Sequence, residues 1–226
     1  MHPQRLVRQA LGLGLLMALV VLAISACGGG GEEEVKARPL PEVEKALRPG
    51  EYRSEEFKPS LSFRVSKGWT NDPPEASDTL FITRGERMAL GFVNAQEVYK
   101  PTKTGLPYVV EAPKDMVGWF QQHPYLQTDK PEPVTVGGVK GEQFDVVVEN
   151  LPEDYASVGG ANCVNLFRLS TGDTICQPEE VKVRLIVLED VKGETVTIGA
   201  VSSDTEFEEF LPEAQKVLDT VEWKGT

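Results

Sequence analysis

Histidine is almost missing from this sequence: His2 and His123 are the only two in 226 residues. A Ser-His-Asp or Cys-His catalytic pair in the body of the chain would have to use His123. Cysteine is also scarce, limited to Cys27, Cys163 and Cys176. None of these residues stands at the spacing of a zinc site or of a Cys-x-x-Cys redox pair. The Gly-x-Ser-x-Gly elbow, the Walker loop and the Gly-x-Gly-x-x-Gly turn do not occur. Basic residues are outnumbered, 23 Lys and Arg against 35 Asp and Glu, for a formal charge of −12. That balance argues against nucleic acid, which needs a basic footprint, and against electrostatic adhesion to anionic lipid headgroups. It leaves cationic partners open and keeps a chain soluble. No enzyme, cofactor or metal is expected. Carboxylates are abundant and a glycosidase pair needs no sequence proximity. Even so, Asp145, Asp173 and Asp190 read as residues of solvated faces and turns.

Apolar residues make up 40% of the chain, and one run of them is concentrated at the N-terminus. Arg5 and Arg8 precede an almost wholly apolar stretch from Leu11 to Ile24, followed by Ser25, Ala26, Cys27 and four glycines. This charged, apolar and small-residue order is that of a secretory signal, and the run is shorter than the roughly 20 residues of a comfortable span. Arg5 and Arg8 are not adjacent, so no twin-arginine signal is present. Leu22 and Ile24-Ser25-Ala26-Cys27 resemble the lipobox of bacterial lipoproteins. The resemblance implies a signal peptide over 1–26, cleavage before Cys27 and lipid on its thiol, so that the chain is held at the extracytoplasmic face of the cell membrane. Two or three acyl chains anchor stably where one does not. Cleavage leaves 21 basic against 35 acidic residues, a formal charge of −14.

Residues 27–50 read as a lipidated cysteine and flexible tether: glycines, three consecutive glutamates, then Pro39, Pro41 and Pro49. A short helix over Glu42 to Leu47 is possible there. From Glu51 the pattern changes to alternation with a period of two. Leu61-Phe63-Val65, Met88-Leu90-Phe92, Phe144-Val146-Val148 and Val183-Leu185-Val187 each predict a half-buried strand. Further strands are expected over 79–83, 133–136, 164–169 and 195–200. Gly137-Gly138, Thr171-Gly172-Asp173 and Lys192-Gly193 supply hairpin turns, hence a mostly antiparallel sheet.

Two segments follow the helical period. Met116, Trp119, Phe120 and His123 share one face, with Pro113 suited to the first turn and Pro124 ending the run; a helix C-terminus there favours partial charge on His123. Phe207, Phe210, Leu211, Ala214, Val217, Leu218 and Val221 form a second stripe, with Asp204 or Thr205 as cap and Pro212 as an internal conflict that predicts a kink or a restart. Two amphipathic helices on a sheet define an α+β domain over 51–224.

The order of parts resembles the Mog1/PsbP-like α/β/α sandwich, including the LpqN-type lipoproteins of actinobacteria. The residues that carry it are Leu-Ser-Phe-Arg-Val-Ser-Lys-Gly-Trp at 61–69, Val-Gly-Gly-Val-Lys-Gly at 136–141, and a C-terminal helix with Phe207, Phe210, Leu211, Pro212, Val217, Leu218 and Val221. This implies a binding or assembly module rather than an enzyme, and no site residues carry over. Its partner would be another envelope protein; the alternative is a carrier of a small apolar ligand or lipid, held between sheet and helix in several hundred Å³.

Export also bears on Cys163 and Cys176, because an oxidising compartment favours a disulfide, which over 14 residues stabilises by about 3 kcal/mol in the chain-entropy model. A tight hairpin centred on Thr171-Gly172 would instead set Cys176 opposite Phe167, so the bridge requires a wider loop or a distorted strand end. The stretch Gln96–Lys114 reads as a long loop, with Tyr99, Pro107 and Tyr108 as candidate contact residues. Trp69, Trp119 and Trp223 read as core or core-edge residues.

Overall fold

The computed structural model describes residues 36–102, 106–158 and 163–225. Three sheets and two helices account for them. The largest sheet has nine strands, half of whose pairings join strands consecutive in the chain. Along it, in spatial order, lie β10 (Leu126–Thr128), β12 (Val139–Val148), β15 (Val181–Val191), β16 (Glu194–Ser203), β7 (Met88–Val93), β6 (Thr79–Arg84), β5 (Trp69–Asn71) and β2 (Lys45–Ala46). The ninth strand, β11 (Glu132–Val136), pairs with the first half of β12. Every pairing in this sheet is antiparallel. The turn between β11 and β12 uses Gly137 and Gly138 with φ of 56° and 80°, the left-handed region that a two-residue hairpin of this hand demands.

Alternation along these strands sends side chains to opposite faces, and each face has its own apolar cluster. Leu80, Ile82, Leu90, Phe92, Ile186, Leu188, Ile198 and Ala200 meet helix α2 (Phe207–Leu218) and a small sheet of β1 (Arg38–Pro39), β3 (Gly50–Arg53), β4 (Leu61–Val65) and β17 (Glu222–Trp223). Phe144, Val146, Val183, Leu185 and Val187 meet helix α1 (Met116–Gln121) and a third sheet of β14 (Thr174–Pro178), β13 (Cys163–Arg168), β8 (Glu97–Lys100) and β9 (Tyr108–Glu111). The fold is thus α+β, with mostly antiparallel sheets and two helices, as the periodicities imply.

Several local expectations need correction. The tether does not reach residue 50. Leu40 and Leu47 are each only 5% exposed and join the α2-side core, each contributing about 1.5–3 kcal/mol of apolar burial. Leu40 N–H donates to Arg53 O at 3.1 Å, and Asn71 Nδ2 donates to Pro41 O at 2.8 Å. The prolines that look like linker punctuation space two anchoring leucines, and Lys45–Ala46 form strand β2, not a helix.

The helices differ from expectation at their ends. Asp115 caps α1 by accepting Gly118 N–H at 2.7 Å, so Pro113 lies before the helix and His123 beyond it. In α2, Glu206 stands at the N-cap without a side-chain cap bond, because its carboxylate accepts from Ser203 Oγ at 2.8 Å. The helix runs unbroken through Pro212. The bond that proline cannot donate is to Glu208 in the first turn, and burial of Phe210, Ala214, Val217 and Leu218 outweighs it.

Candidate functional site

The stretch 96–114 is not an unstructured loop. Glu97–Lys100 and Tyr108–Glu111 pair as an antiparallel hairpin, with Lys100 opposite Tyr108, and β8 also pairs with β13. The alternation in Glu-Val-Tyr-Lys and Tyr-Val-Val-Glu is too short to rise above the proline signals that flank it. The hairpin separates the three candidate contact residues. Tyr99 is 2% exposed and its hydroxyl bonds Thr174 Oγ1 at 2.8 Å, so it locks β8 to the far strand of its sheet and is not a contact residue. Pro107 is buried. Tyr108 is 51% exposed, with Leu106 beside it at 64%, and the Lys100 ammonium lies 5.8 Å from the Tyr108 ring centre.

Behind this hairpin, against α1, runs a groove of about 290 Å³ whose walls include Val98, Lys100, Val110, Pro113, Trp119 and His123. Trp119 is half-buried, stacks on Phe167 at 6.3 Å and meets the His123 ring edge-to-face at 5.5 Å. His123 is 4% exposed. Its Nδ1 accepts Tyr125 N–H at 3.3 Å, which fixes the proton on Nε2, and Nε2 has no hydrogen-bond partner. Burial pushes the imidazole down to about 4, so it is neutral at physiological pH. The partial charge expected at a helix C-terminus does not develop, because desolvation outweighs the dipole of a six-residue helix. A neutral imidazole buried beside two aromatic rings is a packing and hydrogen-bonding group.

Asp145 is not on a solvated face. It is 8% exposed and faces Arg184 across the β12–β15 ladder. Arg184 Nε and Nη2 donate to its two oxygens at 2.7 and 3.1 Å, and Lys182 Nζ donates at 3.1 Å. Desolvation alone would raise the carboxyl; the hydrogen bonds and charges of Arg184 and Lys182 outweigh it and hold the group below the usual carboxylate range. The Phe207 ring of α2 lies under both cations, 4.6 Å from Lys182 Nζ. The cluster therefore ties the first turn of α2 to the sheet. Asp173 and Asp190 do sit at turns, Asp190 accepting Gly193 N–H at 3.0 Å. Trp69 is buried in the core and Trp223 is at its edge, its Nε1 donating to Val136 O at 3.0 Å.

The Cys163–Cys176 disulfide is formed, with a Cα–Cα distance of 5.6 Å, well inside the range that bridging allows. A register shift between Asn165 and Phe167 places Cys176 opposite Asn165, while Phe167 faces Ile175. That bulge is the strand distortion the bridge requires, and it brings Cys163 diagonally next to Cys176. Cys27, the lipidation candidate, lies outside the described residues. Among the described residues no group of His, Cys, Asp and Glu is arranged to hold a metal ion, and no helix is long and apolar enough to cross a membrane.

A second space lies between the central sheet and the β13–β14 hairpin. It holds about 80 Å³ and is lined by Phe81, Gly91, Leu185, Gly199, Ile175 and Gln177 among others. It is neither between sheet and helix nor of the several hundred Å³ that a carried lipid occupies. Sequence reasoning passed over it, although an isolated glycine within a strand pattern, as at Gly91 and Gly199, is a signal of close approach or open space.

These features define the class: an α+β protein whose described residues form mostly antiparallel sheets, two helices and a disulfide. Among the solved structures similar to it are two of low sequence identity. One is the solution structure of cyanobacterial PsbP (CyanoP) from Synechocystis sp. PCC 6803, with 10% identity and a TM-score of 0.40, covering 79% of this chain and 95% of that one. The other is the crystal structure of LpqN, involved in cell envelope biogenesis of Mycobacterium tuberculosis, with 10% identity and a TM-score of 0.37, covering 79% and 89%. Likeness at that distance carries no argument about activity. The sequence matches no protein-family model and no curated protein.

Proposed function

We propose that this chain is a non-catalytic binding or assembly module, tethered to the extracytoplasmic face of a cell membrane by lipid on Cys27, that engages another envelope protein through the β8–β9 hairpin. The observation that carries the reading is the hairpin tip. Leu106 and Tyr108 stand 64% and 51% exposed, and Lys100, opposite Tyr108 in the hairpin, lines the groove that contains the half-buried Trp119. Exposed aromatic and aliphatic groups beside a cleft of mixed polarity are the composition of a contact patch. The acidic remainder of the chain favours a basic partner surface. The lipobox-like Ile24-Ser25-Ala26-Cys27 supports the tether, and the layered α+β architecture is in keeping with a Mog1/PsbP-like sandwich of the LpqN type.

Photo-crosslinking in cells tests the patch. A photoreactive residue at Tyr108 is expected to trap a discrete protein that the same group at Val43, equally exposed to Leu106 at 64%, does not trap. Equal capture from both positions would overturn the assignment of the face. Cys27→Ser is expected to leave an unprocessed precursor or a secreted form. Recovery of mature-sized protein with membranes would remove the anchor, and robust turnover abolished by a change at His123 would remove the non-catalytic reading.

A further inference from the structure

The third sheet ends on a strand with an open side. Among the described residues β9 pairs with β8 and with no strand beyond it. Ala112 N–H donates to Gln96 O at 2.8 Å, so these two residues form a hydrogen-bonded pair just past the end of β9. Such pairs alternate along an antiparallel ladder. Val110 with Val98 and Tyr108 with Lys100 are therefore the next ones, and the N–H and C=O groups of Val109 and Glu111 point away from β8. The other edges are blunted. β1, β11 and β14 contain Pro39, Pro133 and Pro178, while β2, β10 and β17 are only two or three residues long. Proline and brevity protect an edge from strand addition, whereas β9 has four residues, none of them proline or lysine.

Two rows of side chains run off this edge. Ile175, Phe167, Val98 and Val110 stand opposite one another across β14, β13, β8 and β9. The row is apolar throughout and reaches the edge half-buried at Val110. One residue along, Arg168, Glu97 and Glu111 stand opposite one another across β13, β8 and β9. Like charges directly opposite destabilise a ladder. Glu97 has Arg168 on its other side, whereas Glu111 faces only Glu97. The place beyond Val110 therefore suits an apolar residue, and the place beyond Glu111 suits a lysine or arginine. A second copy of this chain fits poorly, because its formal charge of −12 brings acid to acid.

We infer that β9 receives an extended, basic segment of the partner protein as a further antiparallel strand, with an apolar residue opposite Val110 and a lysine or arginine opposite Glu111. Every pairing in this sheet is already antiparallel. The inference rests on the hairpin being the partner face and states how that face binds: main-chain bonds to Val109 and Glu111 supply affinity, and the two rows set the register. The probe is the acetylated, amidated peptide Val-Lys-Val-Lys-Val-Lys, titrated into the full chain while the amide resonances of Tyr108 to Glu111 are followed. The amides of Val109 and Glu111 are expected to gain protection from exchange, while those of Tyr108 and Val110, already bonded to β8, change little. In this register the lysine N–H groups of the peptide face β9 and the valine N–H groups face away. N-methylation of the lysines should therefore weaken binding at least about tenfold, and N-methylation of the valines by no more than about threefold. Val-Glu-Val-Glu-Val-Glu should bind at least about tenfold more weakly than the lysine peptide, and Glu111→Lys should shrink that gap to within about threefold. Val109→Pro removes an outward donor without touching a bond to β8, so it should abolish binding with the fold retained. Equal loss from both N-methylations, or unchanged exchange at Val109 and Glu111 in the complex, would overturn strand addition. In cells, protein capture from a photoreactive residue at Tyr108 should be lost in Val109→Pro. Capture that persists there would overturn the added strand and leave the hairpin face standing, whereas no capture in the wild type removes the face and the strand together.

Discussion

The two faces of the central sheet are built by the same strands but filled differently. Under α2, the sheet's residues meet large rings: Phe92 lies 6.4 Å from Phe63 and 6.3 Å from Trp223, and Trp69 lies 6.0 Å from Phe210. Under α1 and the β13–β14 hairpin, the middle of the sheet presents two glycines in register and an open space above one of them. Because alternate residues of one strand serve opposite faces, Phe92 and Gly91 are sequence neighbours with opposite consequences. The α2 face gains its stability from contact area. The α1 face keeps two glycines in register, a disulfide and a neutral buried histidine, and it borders the exposed hairpin; a groove of about 250 Å³ also runs between the sheet and α2, along Ile186, Ile198, Leu211 and Pro212. The proposed contact surface thus lies on the side of the sheet opposite the ring-packed α2 core.

The comparison breaks most visibly at Phe210. It is 1% exposed, packs on Trp69 and belongs to the α2-side core. Phe210→Ala is expected to lower unfolding free energy by about 4 kcal/mol, the usual range for a buried aromatic truncated in a packed core, read as a shift of the urea midpoint at unchanged slope. A loss under 1 kcal/mol would mean that this face is no better packed than the other.

How much of this was legible in the sequence divides along physical lines. Strands with four or more alternating residues, such as 61–65 and 183–187, announce themselves because a half-buried sheet imposes a period of two. So does the α2 stripe, down to Phe207 and Leu218. Short strands do not. Trp69–Asn71, Leu126–Thr128 and the β8–β9 hairpin carry too few residues to show a period, so their pairing does not show in the pattern of the segment itself. The tether was misjudged for the same reason: Leu40 and Leu47 are isolated leucines in proline-rich surroundings, and only tertiary contact gives them a role. Asp145 was misplaced because its cations, Lys182 and Arg184, are brought to it by strand register. The disulfide followed from compartment and count, but its bulge could not be read from spacing. The cavity escaped because open space is defined by what surrounds two glycines, not by the glycines themselves.

His123 offers a test on the α1 face that uses pH. Its folded value lies at about 4, against 6.5 in the unfolded chain. Between these values the unfolded state binds a proton that the folded state does not, so stability rises with pH across the window. The contribution is fully present above pH 6.5 and is lost as pH falls toward 4. The loss amounts to about 3 kcal/mol over the whole window. Urea unfolding of the wild type and of His123→Phe at pH 7, 5.5 and 4.5 isolates it from the carboxylates, which both proteins share. The wild type should lose stability relative to the variant at each step down. Parallel curves would mean that His123 is protonated in the folded state and that the groove is wetter than its burial indicates.

The smallest effects separate the two glycines. Gly91 and Gly199 face each other across β7 and β16, and neither has the positive φ that would strain a substitution. Conformational entropy of the unfolded chain therefore favours alanine at both by about 0.4–1 kcal/mol. What differs is the space above them. At Gly199 a methyl group enters open volume and adds apolar contact with Val183, Leu185 and Val201. Gly199→Ala should therefore raise unfolding free energy by about 1 kcal/mol. At Gly91 the same methyl must displace the Phe81 ring, and overpacking of that kind costs about 1–3 kcal/mol, enough to reverse the sign. Two identical substitutions at paired positions should thus move the thermal midpoint in opposite directions. If both stabilise, Phe81 rotates freely and the cavity is larger in solution than the packing suggests. If both destabilise, the space over Gly199 is already filled, and an occupant must be sought there by mass spectrometry under native conditions.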